Sequence, residues 1–163
     1  MPRLHNAQDE RFGGYFEDYE VGDRFRHWPG KTITEADDHL FCLLTMAASP
    51  LHIDRVYGAA SIFGQNVVVG SYIYALLLGM SVPDISGRAL ANLGTDELRH
   101  IAPVFHGDTL YGESEVTGVR ASDSRAGQGI LTVRTEGFTQ ERVLVCSFLR
   151  SVLLPMRNAA VPT

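Results

Sequence analysis

A chain of 163 residues has the length of one domain and enough material to bury a core. Hydrophobic residues make up 45% and charged residues 20%, an ordinary globular balance. The formal charge of −5, with Lys31 the single lysine and no basic cluster, argues against nucleic acid as a partner.

No uncharged apolar window approaches the roughly eighteen residues of a membrane span. The opening segment MPRLHNAQDERFGG is polar, with no hydrophobic stretch of the kind a secretion signal needs, so residues 1–15 read as a flexible arm and the expected compartment is the cytoplasm. Cys42 and Cys146 both sit among apolar neighbours and read as buried free thiols. Neither has a metal-ligand spacing, so no metal and no cofactor is expected.

In chain order, YFEDYEVGDRFRHWPGKTIT reads as a lead-in followed by a strand, turned at Gly22-Asp23, with Phe25 and Trp28 as core anchors. Thr34 is a good N-cap for a helix over EADDHLFCLLT, whose first-turn acids suit the helix dipole. Ala36, Leu40, Leu43 and Leu44 recur at helical spacing and predict its core face. A loop over 45–53 carries His52, and a short helix over 54–60 follows with Asp54 as its cap. From Ser71 to Val82 the chain is apolar nearly all round, which predicts a buried helix opened by Gly70. Tyr72 and Tyr74 on it read as core aromatics.

After Pro83 the period changes to that of strands. RALANLGTDELRHIAPV, DTLYGESEVTGVRAS, GQGILTVRTEGFTQ and RVLVCSFLRSVLLP are separated by turn residues such as HGDT and DSRAGQG. In the third, Ile130, Thr132 and Arg134 alternate with Leu131, Val133 and Thr135. Asn92-Leu93-Gly94 interrupts the first, either as a bulge or as a close approach to a ligand. The fold class is therefore α+β, an antiparallel sheet wrapped around a long central helix.

Three stretches carry a resemblance. Ala47-Ala48-Ser49-Pro50-Leu51-His52 is similar to a catalytic loop of pattern Asp-x-Asn-Pro-x-His. Phe63-Gly64 and Gly70-Ser71 match the segment that opens the central helix, and APVFHGDTL over 102–110 matches a Pro-Val-x-x-Gly-Asp-Thr-Leu pattern. Residues 16–155 thus resemble the MaoC-like dehydratases, which include the (R)-specific enoyl-CoA hydratases, with 156–163 as a tail. FCLLTMAASPLHID and FGQNVVVGSYIYALLLGMSVPDISG look nearest the branch of mesaconyl-CoA and itaconyl-CoA hydratases.

The resemblance implies a single hot-dog domain, a homodimer or higher homo-oligomer, and a CoA thioester as partner. It implies a hydro-lyase acting on a short enoyl-CoA, of which a branched dicarboxylic C4–C5 acyl group is the narrower form. His52 would carry the proton and the Gly70 amide would hold the enolate oxygen, with no side chain to obstruct the thioester. Substrate contacts would come from Ser49, Pro50, Val69, Ser71, Asn92, Leu93 and Gly94, and CoA phosphates would draw on Arg120, Arg125, Arg134, Arg142 or Arg150.

The departure lies at Ala47, where the family's catalytic acid stands. A methyl group neither takes a proton nor holds water, so a non-catalytic acyl-CoA-binding protein is the alternative. An acyl-CoA thioesterase is disfavoured, because residues 70–82 contain no acid.

Overall fold

The computed structural model describes residues 4–6 and 12–158. Its sheet has seven strands: β1 (Leu4–Asn6), β2 (Arg24–Arg26), β3 (Lys31–Thr32), β4 (Ala91–His100), β5 (Thr109–Ala121), β6 (Gln128–Phe138) and β7 (Leu144–Pro155). The order is β1-β2-β5-β6-β7-β4, with β3 pairing β5 beside β2. All pairings are antiparallel except that of β1 with β2. Between β3 and β4 lie the helices α1 (Glu35–Thr45), α2 (Pro50–Ile53), α3 (Arg55–Ala60) and α4 (Gly70–Ser81). This is the hot-dog arrangement, with α4 lying in the hollow of the sheet. No helix among the described residues is long and apolar enough to cross a membrane.

There are two apolar clusters, of which the first holds α4 against the strands and the second contains no residue of α4. Ile73 and Leu77, one turn apart, pack with Val104, Leu110, Val145 and Phe148. Each such fully buried aliphatic side chain contributes about 1.5–3 kcal/mol. The helix sits close because β5 and β6 present Gly112 and Gly137 beneath Leu77; a Cβ at Gly137 would collide with the Leu77 side chain. The second cluster gathers Tyr19, Phe25, Ile85, Val116, Leu131, Val133, Val152 and Leu154. The expected alternation along β6 puts Leu131, Val133 and Thr135 inside. A buried polar chain also crosses the inner face: His27 bonds Asp84 through Nδ1 at 2.6 Å and Ser114 through Nε2 at 2.7 Å, and Ser114 meets Thr135 at 2.8 Å.

Four expectations change. Trp28 is 58% exposed and no part of the core. Leu40, Leu43 and Leu44 face outward on α1, whose buried face is Asp38 and Cys42. The helical period was legible, but polar anchoring by Asp38 selects the face that turns inward. The central helix is not enclosed all round, because Ser71, Ala75 and Gly79 form an exposed stripe along α4. The loop carrying His52 contains its own turn of helix, α2, started by Pro50 at its first position.

Of the arm expected over 1–15, residues 1–3 and 7–11 lie outside the described residues. Leu4–Asn6 runs parallel to β2, and Gly13 and Gly14 donate their amides to Pro83 O and Tyr19 Oη. Both thiols are buried and unpaired. Burial pushes the Cys146 thiol up to about 11; burial, then the neighbouring Asp38 carboxylate, raises that of Cys42.

Candidate active site

His52 occupies the third position of α2, and α2 is pinned to the strand-like segment before α4. Asn66 donates its side-chain amide to Leu51 O at 2.9 Å and to Asp54 O at 3.0 Å. The imidazole Nδ1 of His52 lies 2.7 Å from the carbonyl of Val67. A carbonyl only accepts, so Nδ1 carries the hydrogen and the neutral ring keeps its lone pair on Nε2. Asp54, the expected cap of the short helix, caps α3 by accepting from Val56 N and Tyr57 N at 2.9 and 3.1 Å. The ring is thus oriented by a backbone carbonyl and not by an acid.

The N-terminus of α4 faces the same space. Three amides there lack a helical partner for the reason any first turn does. Val69 N–H donates to Asp38 Oδ1 at 3.0 Å. The amides of Gly70 and Ser71 bond to nothing among the described residues. Asp38 is fully buried and also takes a hydrogen bond from His106 Nε2 on its other oxygen, at 2.9 Å. It therefore ties α1 and the HGDT turn to the start of α4. Its place in the first turn of α1, beside Glu35 and Asp37, makes it indistinguishable in sequence from an acid that merely suits the helix dipole.

His52, Val67, Gly70, Ile73 and His100 line one open cleft of about 340 Å³, closed on its far side by residues 101–104. His100 is the last residue of β4. In the structure a Cβ built on Gly70 would lie 2.8 Å from His100 Cε1 and 2.9 Å from its Nε2. The space left by the missing side chain is thus filled by an imidazole ring. Backbone geometry puts such a Cβ about 2.5 Å from the glycine nitrogen, so Nε2 stands within about 5.4 Å of Gly70 N. Two donors at that separation can share one oxygen at ordinary hydrogen-bond lengths.

Other expected residues lie elsewhere. Ala47 follows the left-handed C-cap Met46 of α1, half-buried, with its amide bonded to Cys42 O at 2.9 Å; neither it nor Ser49 or Pro50 lines the cleft. Ser49 caps α2 by position without a side-chain bond. Val69 is buried and turned from the cleft, and Ser71 is exposed. At Asn92-Leu93-Gly94 the pairing with β7 shifts register, so the bulge reading describes the segment; it lies on the edge strand away from the cleft. Among the arginines expected for phosphates, Arg134, Arg142 and Arg120 pair with Glu97, Glu113 and Asp123 at 2.8, 2.8 and 3.6 Å, and Arg150 is buried.

A family model described as a MaoC like domain matches residues 17–137. A mesaconyl-CoA hydratase of Cereibacter sphaeroides is 35% identical over 150 residues, covering 92% of this chain and 43% of that protein. An (R)-specific enoyl-CoA hydratase of Aeromonas caviae is 31% identical over 136 residues, covering 83% and 96%. The crystal structure of a putative MaoC domain protein dehydratase from Chloroflexus aurantiacus superposes with a TM-score of 0.86 at 30% identity, covering 94% of this chain and 44% of that one. The chain spans less than half the length of the mesaconyl-CoA hydratases and β-methylmalyl-CoA dehydratase it matches. With one family model spanning most of its hot-dog fold and two such relatives above 30% identity, the chain belongs to the MaoC-like dehydratase family.

Proposed function

We propose that this chain adds water to, or removes it from, a short enoyl-CoA thioester. The observation that carries this reading is the convergence of a base and a free amide on one cleft: His52, whose Nδ1 is held by the Val67 carbonyl, shares the cleft with the unpaired Gly70 amide. In hydration His52 Nε2 takes a proton from water as the water oxygen bonds to the β-carbon. The alkene electron pair moves toward the thioester oxygen, where the Gly70 amide, supported by the helix dipole, receives the charge. The proton held by His52 then returns to the α-carbon, so one imidazole serves as base and acid. His100 stands beside the same oxygen and adds a donor to it.

A branched dicarboxylic C4–C5 acyl group is the narrower substrate. Its support is the similarity to the mesaconyl-CoA hydratases and the cleft floor of Ile73, which leaves room for a short chain. A homodimer is part of this reading. β4 is an open sheet edge bearing exposed Leu93 and Leu98, and α1 presents Leu40, Leu43 and Leu44 to solvent. A second copy would cover both. The cytoplasm, with two unpaired thiols, is the compartment that fits.

One observation favours a second reading. Ala47 puts a methyl group where the family carries its acid, as a protein that binds acyl-CoA without turning it over would. Following crotonyl-CoA and mesaconyl-CoA by loss of the conjugated thioester absorbance, with free thiol measured alongside, tests both. Hydration without CoA release supports the hydro-lyase, and binding without turnover supports the second reading.

A further inference from the structure

Thr95 and His100 of β4 both turn toward α4. Thr95 Oγ1 meets the Tyr74 hydroxyl at 2.8 Å, and the His100 ring fills the space beside Gly70. The two stand five residues apart, and in a regular strand an odd separation puts side chains on opposite faces. A bulge between them resolves the conflict. Asp96 pairs with Leu149 of β7 and Arg99 with Ser147, so Glu97 and Leu98 together stand opposite Phe148 alone. Within this bulge Glu97 takes φ +52°, in the left-handed region.

A left-handed glutamate carries a backbone cost that glycine avoids. The surroundings of its side chain show why the chain accepts it. In an unbroken strand residue 97 would share the face of Thr95 and lie against Phe148, which is fully buried in the apolar cluster around α4. A carboxylate is costly there. The bulge turns Glu97 to the outer face, where its carboxylate accepts from Arg134 of β6 at 2.8 Å. That pair is largely exposed and contributes little to stability by itself. The larger consequence is the register beyond it. Were the pairing of Thr95 and Asp96 continued unbroken, Arg99 would stand opposite Cys146 and take the place beside Gly70, and His100 would turn to the outer face. With the extra residue, Arg99 lies outside, opposite Ser147, and His100 takes the inner place.

We propose that Glu97 is a positioning residue: its left-handed backbone inserts the residue that aims the His100 imidazole at the Gly70 amide, beside the thioester oxygen. The inference rests on the hydratase reading of the His52–Gly70 cleft and names what orients its second imidazole.

Glu97→Val tests it, because a β-branched residue is the poorest fit to a positive φ. With crotonyl-CoA and mesaconyl-CoA as probes, kcat should fall at least about tenfold in the folded variant while KM changes less than about twofold. Glu97→Gly, which takes the same φ without strain but lacks the ion pair, should recover most of that loss. In a His100→Ala background Glu97→Val should change kcat by less than about twofold, since no ring is left to aim. Should Glu97→Val fail to fold, Glu97→Thr reads the same comparison. The imidazole NMR resonances of the free protein report the ring without turnover: that of His100 should shift in Glu97→Val and return toward its wild-type position in Glu97→Gly. An unmoved His100 resonance in Glu97→Val, equal losses with valine and glycine, or a valine effect undiminished without His100 overturns the role of Glu97. Wild-type protein that hydrates neither thioester ends the hydratase reading, and the resonance comparison then decides by itself whether Glu97 aims His100.

Discussion

His100 occupies the room that a side chain at position 70 would need, its Cε1 standing 2.8 Å from where a Cβ would be. Glycine at the start of α4 is therefore required by a neighbouring imidazole as well as by the substrate. Gly70→Ala should lower kcat at least about tenfold, because the ring or the helix start must move and small misplacements are expensive in catalysis. Adding His100→Ala should recover part of the loss. A double-mutant cycle on kcat/KM checks this; purely additive effects would mean that the two positions do not interact.

His52→Ala should lower kcat by about 10² or more in a protein that still folds, which is the ordinary contribution of a general base. Steady-state kinetics with circular dichroism on the same sample separates lost chemistry from lost structure. The same reasoning makes Asn66 a positioning residue: Asn66→Ala frees α2 from the segment before α4, and kcat should fall while the KM for the CoA thioester changes little.

Ala47→Asp and Ala47→Asn should each be tolerated structurally, since residue 47 is half-buried just after a helix end. At least one should raise kcat severalfold with little change in KM, as expected for a group that positions the attacking water mainly in the transition state. Two variants no faster than wild type would remove residue 47 from water positioning.

Much of this was legible in the sequence, and what was not has a physical reason. Pro50 and His52 mark the loop, Gly70 marks the helix start, and the four long strands follow from alternation and turn residues, because these are local signals. The inward face of α1 escapes the sequence because all four apolar positions at helical spacing, Ala36, Leu40, Leu43 and Leu44, are exposed while Asp38 is drawn inside by Val69 and His106, residues distant in sequence. Trp28 was placed in the core on size alone. His100 and Arg150 each sit in an ordinary strand pattern, and only the packing of α4 reveals that one overlies Gly70 and the other lacks a partner.

The buried Cys146 thiol, pushed up to about 11, makes a pH prediction. Above a pH of about 9 the unfolded chain loses this proton while the folded chain keeps it, so stability present below that range falls as pH rises toward 11. The loss is at most about 2–3 kcal/mol. Cys146→Ala should flatten the alkaline limb of urea-denaturation stability between those values; an unchanged limb would assign the alkaline loss to other groups.

The central claim is that His52, opposite the Gly70 amide, adds water across a short enoyl thioester. A side-by-side measurement of mesaconyl-CoA and crotonyl-CoA turnover by wild type and His52→Ala tests it most directly, with the conjugated thioester absorbance and free CoA read together. The expected result is loss of absorbance without CoA release in wild type, and at least about a hundredfold slower loss in the folded variant. Release of CoA, an equal rate in the variant, or binding without turnover by wild type would contradict it.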